Sequence, residues 1–176
     1  MTPAALLLVI VTAERLGELW LARRNTAALL ARGAYEVAPG HYPLIVLLHA
    51  SWLAGLWLFG QTNPLNPYWV SIFIVLQALR FWVLGTLGRR WTTRIIVLPG
   101  ASLVTDGPYR LMAHPNYLIV VGEVAVLPLC LDLPWFALVF SVANAAILAI
   151  RIRAENEALG RLRDNPEEMS RIPRGL

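Results

Sequence analysis

The stretch Gly107–Leu129, GPYRLMAHPNYLIVVGEVAVLPL, changes character part-way along. It opens as a polar turn carrying Tyr109, Arg110, His114, Asn116 and Tyr117, then becomes an apolar run broken only by Glu123 and Gly122. Pro115 suits the first turn of a helix, where its missing N–H would have had no partner. The apolar part therefore reads as a membrane-grade helix over about 115–131, and the polar part as its doorway from water. Such a helix needs companions, and the remainder of the chain supplies them.

Hydrophobic residues make up 57% of the 176 and charged residues only 15%, where soluble domains carry about a quarter charged. The mean hydropathy is +0.58. Further apolar runs lie at about 2–22, 42–60, 67–88 and 134–151, close to the ~20 residues that cross a bilayer. GQTNPLNP (60–67) and LDLP (131–134) are tight turns between neighbouring runs. This predicts an all-α integral membrane protein forming a single domain over 1–176. It would have five transmembrane helices, a folded cytoplasmic loop and a C-terminal cytoplasmic helix. The apolar N-terminus lacks a basic leader and a small-residue cleavage pattern, so a retained helix is expected there. Cys130 is the sole cysteine, which excludes an internal disulfide and gives no zinc or redox signature. Membrane lipids are the expected surroundings; nothing points to nucleic acid or to an oligomer.

All fifteen basic residues are Arg, a bias that a GC-rich genome would produce. Arg23, Arg24 and Arg32 follow the first run. Arg89, Arg90, Arg94 and Arg110 lie between the third and fourth, and Arg151, Arg153, Arg161, Arg163, Arg171 and Arg174 follow the fifth. The N-terminus and both tight turns have none. Five alternating spans with the N-terminus outside put every Arg-bearing segment in the cytoplasm, the arrangement the positive-inside rule favours. The loop 89–114 has short β-branched runs between Pro-Gly and Asp-Gly-Pro turns, which predicts a hairpin. The tail after residue 151 continues helically, with an Arg-rich face toward anionic headgroups.

Ionisable groups inside spans cost roughly 2.5–3.5 kcal/mol each and are functional candidates by default. Glu14, Arg15 and Glu18 fall in the first run, His49 in the second, Arg80 in the third and Glu123 in the fourth. Helical rise puts Glu14, Arg80 and Glu123 each ~14 Å in from a cytoplasmic marker, and His49 ~11 Å in from Tyr42. Four helices thus contribute polar groups at one level. Glu14 or Glu123 would pair with Arg80, either as a structural ion pair or as the floor of a cytoplasm-facing cavity with Glu18 on its wall.

At the doorway, His114 and Tyr117 are three apart and would face an anion at the helix N-terminus, with Tyr109 and Arg110 approaching from the loop. Simple interfacial anchoring is the competing reading. In RIRAENEAL (151–159), Arg151, Glu155 and Asn156 emerge where the fifth run ends. A carboxylate there can accept two hydroxyls of a diol, and an arginine can grip a carboxylate; the alternative is a solvated i,i+4 pair.

Taken together, GPYRLMAHPNYL, Glu123, one apolar hairpin and RIRAENEAL resemble the C-terminal region of the isoprenylcysteine carboxyl methyltransferase family over roughly 100–176. The family pattern runs Gly-Pro-Tyr-Arg, then Arg-His-Pro-x-Tyr, an apolar hairpin, and Arg with a Glu-Glu pair and Leu. SRIPRGL (170–176) resembles its closing Arg-Val-Pro segment. ERLGELWLARRN and HYPLIVLLHASWL resemble a bacterial subgroup that methylates alkylpyrones and alkylresorcinols. Ala113 replaces the family's Arg before His-Pro, Asn156 the second Glu, and Ile119 a glycine found in many relatives.

The resemblance implies S-adenosyl-L-methionine as cofactor, leaving S-adenosyl-L-homocysteine, with no metal. It implies cofactor contacts from Tyr109, Arg110, His114, Pro115, Tyr117, Arg151, Glu155 and Asn156. The acceptor would be a lipophilic small molecule, entering the cavity from the bilayer. Arg80 would position an acceptor carboxylate, whereas Glu123, Glu14 or His49 would take the proton of an acceptor hydroxyl. Two other readings stand beside this one: a membrane NADPH-dependent reductase of the sterol reductase type, and a small transporter.

Overall fold

Prolines and small polar residues set where the helices begin. The computed structural model describes residues 1–102 and 104–164. It contains α1 (Pro3–Leu30), α2 (Tyr42–Gly60), α3 (Pro67–Leu87), α4 (Pro115–Cys130) and α5 (Pro134–Asp164). Proline occupies the first position of four of these helices and the second of α2. The Thr2 hydroxyl caps α1 by accepting from the Ala5 amide (3.0 Å), and the Asn66 side chain caps α3 by accepting from Tyr68 (3.1 Å).

Three helical stretches are long and apolar enough to cross a membrane: Pro39–Gly60, Pro67–Arg90 and Pro134–Glu155. α4, with 16 residues, is a shorter apolar helix. α1 runs on past the expected end at residue 22 to Leu30, so Arg23 and Arg24 lie on the helix and not after it. α5 likewise continues unbroken through the doorway level, and the expected C-terminal helix is its extension.

The helices meet in one apolar core. Leu8, Val11, Trp52, Leu56, Phe73, Val124 and Leu127 are buried together from α1, α2, α3 and α4. The Trp57 indole donates to the Thr12 hydroxyl (3.0 Å), and that of Trp52 donates to the Val124 carbonyl (3.3 Å). Outward faces are apolar too: Leu58, Phe59, Ile74 and Val139 are each more than 60% exposed, as a lipid-facing surface requires.

One end of the bundle joins the N-terminus to both tight turns. The Thr2 hydroxyl donates to the Gln61 carbonyl, Asn63 Nδ2 to the Leu131 carbonyl (2.8 Å), and the Asn66 amide to the Cys130 carbonyl (3.0 Å). At the other end Asn25 Nδ2 bridges the carbonyls of Gly88 (3.1 Å) and Trp91 (2.9 Å), tying α1 to the segment after α3. The Arg-free segments cluster at the first end, and Arg89, Arg90 and Arg94 at the second.

The loop after α3 does not form the expected hairpin. Ile96–Val97 (β2) pairs antiparallel with Tyr35–Glu36 (β1), which lies between α1 and α2, in the register Tyr35↔Val97 and Glu36↔Ile96. Arg94 fixes that pairing: its Nη1 lies 2.7 Å from Glu36 Oε2, and its guanidinium sits 4.6 Å from the Tyr42 ring centroid.

Further on, Gly107–Arg110 makes a 3₁₀ turn packed on α3. Gly107 has φ +55°, and a Cβ there would lie 2.6 Å from Thr86 Oγ1. Gly107→Ala is expected to destabilise the protein by about 1–2 kcal/mol from the left-handed backbone alone, read as a lowered Tm in detergent. An unchanged Tm would show that the turn repacks freely.

Candidate functional site

The first turn of α4 and the second half of α5 share a polar cluster. The Tyr117 hydroxyl donates to Glu155 Oε2, and Arg151 Nε donates to that hydroxyl at 2.9 Å. The Arg151 guanidinium also sits 5.6 Å from the Tyr117 ring centroid. His114, the residue capping α4, stacks on Tyr117 with centroids 5.2 Å apart and planes 21° off parallel. Pro115 is buried beneath them at the first helical position.

Tyr109 approaches from the 3₁₀ turn and packs against the buried cluster of Ala22, Val83, Trp91 and Ile119. Burial pushes its phenol up to about 12, and the Glu155 carboxylate adds to the effect. Arg110 ends the same turn and is exposed, outside this cluster. Asn156 lies within α5, but its side chain is outside the described residues, as is the whole of SRIPRGL.

A second cluster lies deeper. Arg80 on α3 spans two helices: Nε and Nη2 donate to the two oxygens of Glu18 on α1, and Nη1 donates to Glu123 Oε2 on α4 at 2.6 Å. Arg15 adds a second bridge, with Nη2 2.9 Å from Glu123 Oε1 and Nη1 3.1 Å from Glu18 Oε2. Gln77 Nε2 donates to Glu123 Oε1 at 2.9 Å. Arg80 and Glu123 are 5% and 4% exposed, so each satisfies the other where water is excluded. The Arg80 guanidinium also lies 5.9 Å from the Trp91 ring centroid.

The pairing of Glu14 with Arg80 does not occur. Glu18, one turn further along α1, takes that place, while the salt bridge Glu14 makes among the described residues is to Arg15, at 3.6 Å. Its Oε1 is buried without a hydrogen-bond partner among the described residues. Nor is Arg80 poised to hold an acceptor carboxylate, because two protein carboxylates already occupy it.

Both clusters open on one cavity of about 350 Å³. Tyr117 and Arg151 line it at one part, and Arg15, Glu18, Arg80 and Glu123 at another, with His49 from α2. Most of the remaining wall is apolar, including Leu16 and Val46, which are also exposed on the outer surface at 63% and 47%. The cavity therefore reaches the apolar outer surface of the bundle.

Composition-based reading of the spans misses several groups on this wall. Asn144 is 4% exposed on α5; its only signal is a lone amide in an apolar run. Trp91 Nε1 and Asn116 Oδ1, one donor and one acceptor, are buried with no hydrogen-bond partner among the described residues. No group of three or more His, Cys, Asp or Glu able to hold a metal occurs among the described residues.

Residues 69–161, more than half of the chain, match the model of the Isoprenylcysteine carboxyl methyltransferase (ICMT) family. The chain is 38% identical over 160 residues to a Bacillus subtilis (strain 168) protein described as "Uncharacterized protein YpbQ", covering 88% of this chain and 95% of that one. It is 26% identical over 158 residues to an uncharacterized protein of Haemophilus influenzae, covering 86% of this chain and 92% of the relative. No solved structure matches it.

Proposed function

The chain belongs to the isoprenylcysteine carboxyl methyltransferase family, and from that premise we propose an S-adenosyl-L-methionine-dependent O-methyltransferase acting on a lipophilic acceptor at the inner face of the cell membrane. Membership of the family suggests an integral membrane methyltransferase. All five helices would cross the bilayer, with the Arg-free end outward and the Tyr117 cluster at the cytoplasmic side. The observation that carries the reading is the convergence of Tyr117, Arg151 and Glu155 beside a cavity that Tyr117 and Arg151 line, and whose wall away from its deep charged cluster is mostly apolar and reaches the outer surface of the bundle.

The residues present fit such a cofactor. An amino acid end needs a cation for its carboxylate and an acceptor for its ammonium, and Arg151 and Asn116 Oδ1, which has no hydrogen-bond partner among the described residues, both line the cavity. A ribose needs a carboxylate for its diol, which Glu155 supplies. When bound, S-adenosyl-L-methionine supplies an electrophilic sulfonium methyl. The protein's own share is alignment and exclusion of water: His114 and Tyr117 wall one side, and the apolar lining keeps the acceptor's head dry.

The acceptor that fits best is a long-chain hydroxyl compound such as an alkylpyrone or alkylresorcinol. Arg15 and Arg80 are both engaged by Glu18 and Glu123, so no guanidinium in the deep cluster is left for a carboxylate. A tail would lie along Leu16, Val46 and their neighbours. Purified protein is expected to gain thermal stability from S-adenosylhomocysteine and none from NADPH, and to label an alkylresorcinol from a methyl-labelled cofactor. Stabilisation by NADPH alone would favour the reductase reading, and by neither would favour the transporter.

A further inference from the structure

We infer that His49 is the general base that takes the proton of the acceptor's hydroxyl; this rests on the methyltransferase reading above. The observation begins with one bond. His49 Nδ1 lies 2.9 Å from the carbonyl oxygen of Ile45, one turn earlier on α2. A carbonyl only accepts, so Nδ1 carries the hydrogen. In the neutral ring Nε2 then holds the lone pair, and no hydrogen bond occupies it among the described residues. The tautomer that can accept a proton is fixed by the backbone.

The other bases the cavity offers are already committed. Glu18 accepts from Arg80 through both oxygens and from Arg15 through Oε2. Glu123 accepts from Arg15 and Gln77 through Oε1 and from Arg80 through Oε2. Protonating either carboxylate would break a buried salt bridge. Glu14 is not on the cavity wall. Tyr117 and Tyr42 spend their hydroxyls on Glu155 and Thr93. His49, on the wall between these groups, is the base that can be used without dismantling the bundle.

The charged and titratable groups sharing its cavity are Arg15 and Glu18 on α1, Tyr42 on its own helix, Arg80 on α3, Tyr117 and Glu123 on α4, and Arg151 on α5. In the step, the acceptor oxygen bonds to the methyl carbon while the carbon–sulfur bond breaks and its electron pair stays on sulfur. The hydroxyl proton passes to His49 Nε2, and the imidazolium later returns it to water at the cytoplasmic mouth. The overall products are methyl ether, S-adenosylhomocysteine and a proton.

The test uses the full chain in detergent with S-adenosylhomocysteine bound, so that no methyl can transfer. A long-chain alkyl nitrophenol is added at a pH below its own pKa, and its visible absorption reports the phenolate. Wild type is expected to bind it and raise the phenolate fraction. His49→Asn, which keeps an amide to bond Ile45, and His49→Gln are expected to bind S-adenosylhomocysteine normally yet leave the phenol protonated. In turnover, both variants are expected to lose about 100-fold in kcat/KM near pH 7, and the gap is expected to close as pH rises toward the acceptor's own pKa. Failure of wild type to bind or ionise the phenol, or unchanged ionisation and turnover in both variants, overturns the assignment. Loss of S-adenosylhomocysteine binding in wild type instead overturns the methyltransferase reading, and the base with it.

Discussion

Arg80→Leu is expected to lower the stability of the folded bundle by about 3–5 kcal/mol, the cost of breaking a buried pair from one side. Arg80 lies on α3 and holds Glu18 of α1 and Glu123 of α4 at the same time, so its removal strands the buried Glu123 carboxylate and leaves the partly buried Glu18 with Arg15 alone. Arg15 cannot compensate both, because its own contacts with Glu18 and Glu123 are already made. Arg80→Lys is expected to recover little: one ammonium lacks the planar fork that reaches two helices in different directions. The measurement is unfolding in mixed micelles. Adding Glu18→Gln and Glu123→Gln to Arg80→Leu is expected to restore much of the loss. Equal stability of Arg80→Leu and wild type would mean that the cluster contributes nothing to holding these helices together.

Glu155→Gln is expected to weaken S-adenosylhomocysteine binding by about 10- to 100-fold, since hydrogen bonds to a charged group are worth about 1.5–3 kcal/mol. The amide keeps the side chain's shape and can still accept from Tyr117, but it surrenders the charge that a ribose diol and Arg151 would both feel. Tm without ligand is expected to change by only a degree or two, because the residue is only half-buried. Titration calorimetry on the detergent-solubilised protein separates the two effects. Undiminished affinity in Glu155→Gln would leave Tyr117, Arg151 and Glu155 as an interfacial brace between α4 and α5.

Where the helices lie was legible in the residues. α2 and α3 occur over Tyr42–Gly60 and Pro67–Leu87, against expected runs of 42–60 and 67–88, because Pro43, Asn66 and Pro67 act locally. The same holds for Pro115 and Pro134. The end of α1 was not legible, because Arg23 and Arg24 mark where a span meets water and a helix need not stop there.

The partners of the buried charges were only partly legible. Depth counted along each helix brings Glu14 and Arg80 level, but Glu14 and Glu18 are one turn apart on one face, separated by ~6 Å of rise. Which of them meets Arg80 is set by how α1 slides and tilts against α3, and no local residue encodes that. The pairing of Arg15 with Glu18 and Glu123 was not legible for a related reason: much of α1 around it is apolar, so no single stripe announces the inward face. The β1–β2 bridge joins two-residue strands far apart in sequence, and a run that short carries no signal for its partner. By contrast, the His114–Tyr117 and Arg151–Glu155 spacings placed each pair on one helical face, and packing of α4 on α5 brought the two faces into contact.

The central claim is that the start of α4 and the second half of α5 enclose one sulfonium nucleoside beside the cavity. A structure of the protein with S-adenosylhomocysteine tests it most directly. The ligand's amino acid end is expected at Arg151 and Asn116, its ribose at Glu155, and its sulfur facing the cavity that His49 lines. A ligand bound elsewhere on the chain, or a Tyr117–Glu155 contact that stays sealed at saturating ligand, would contradict it.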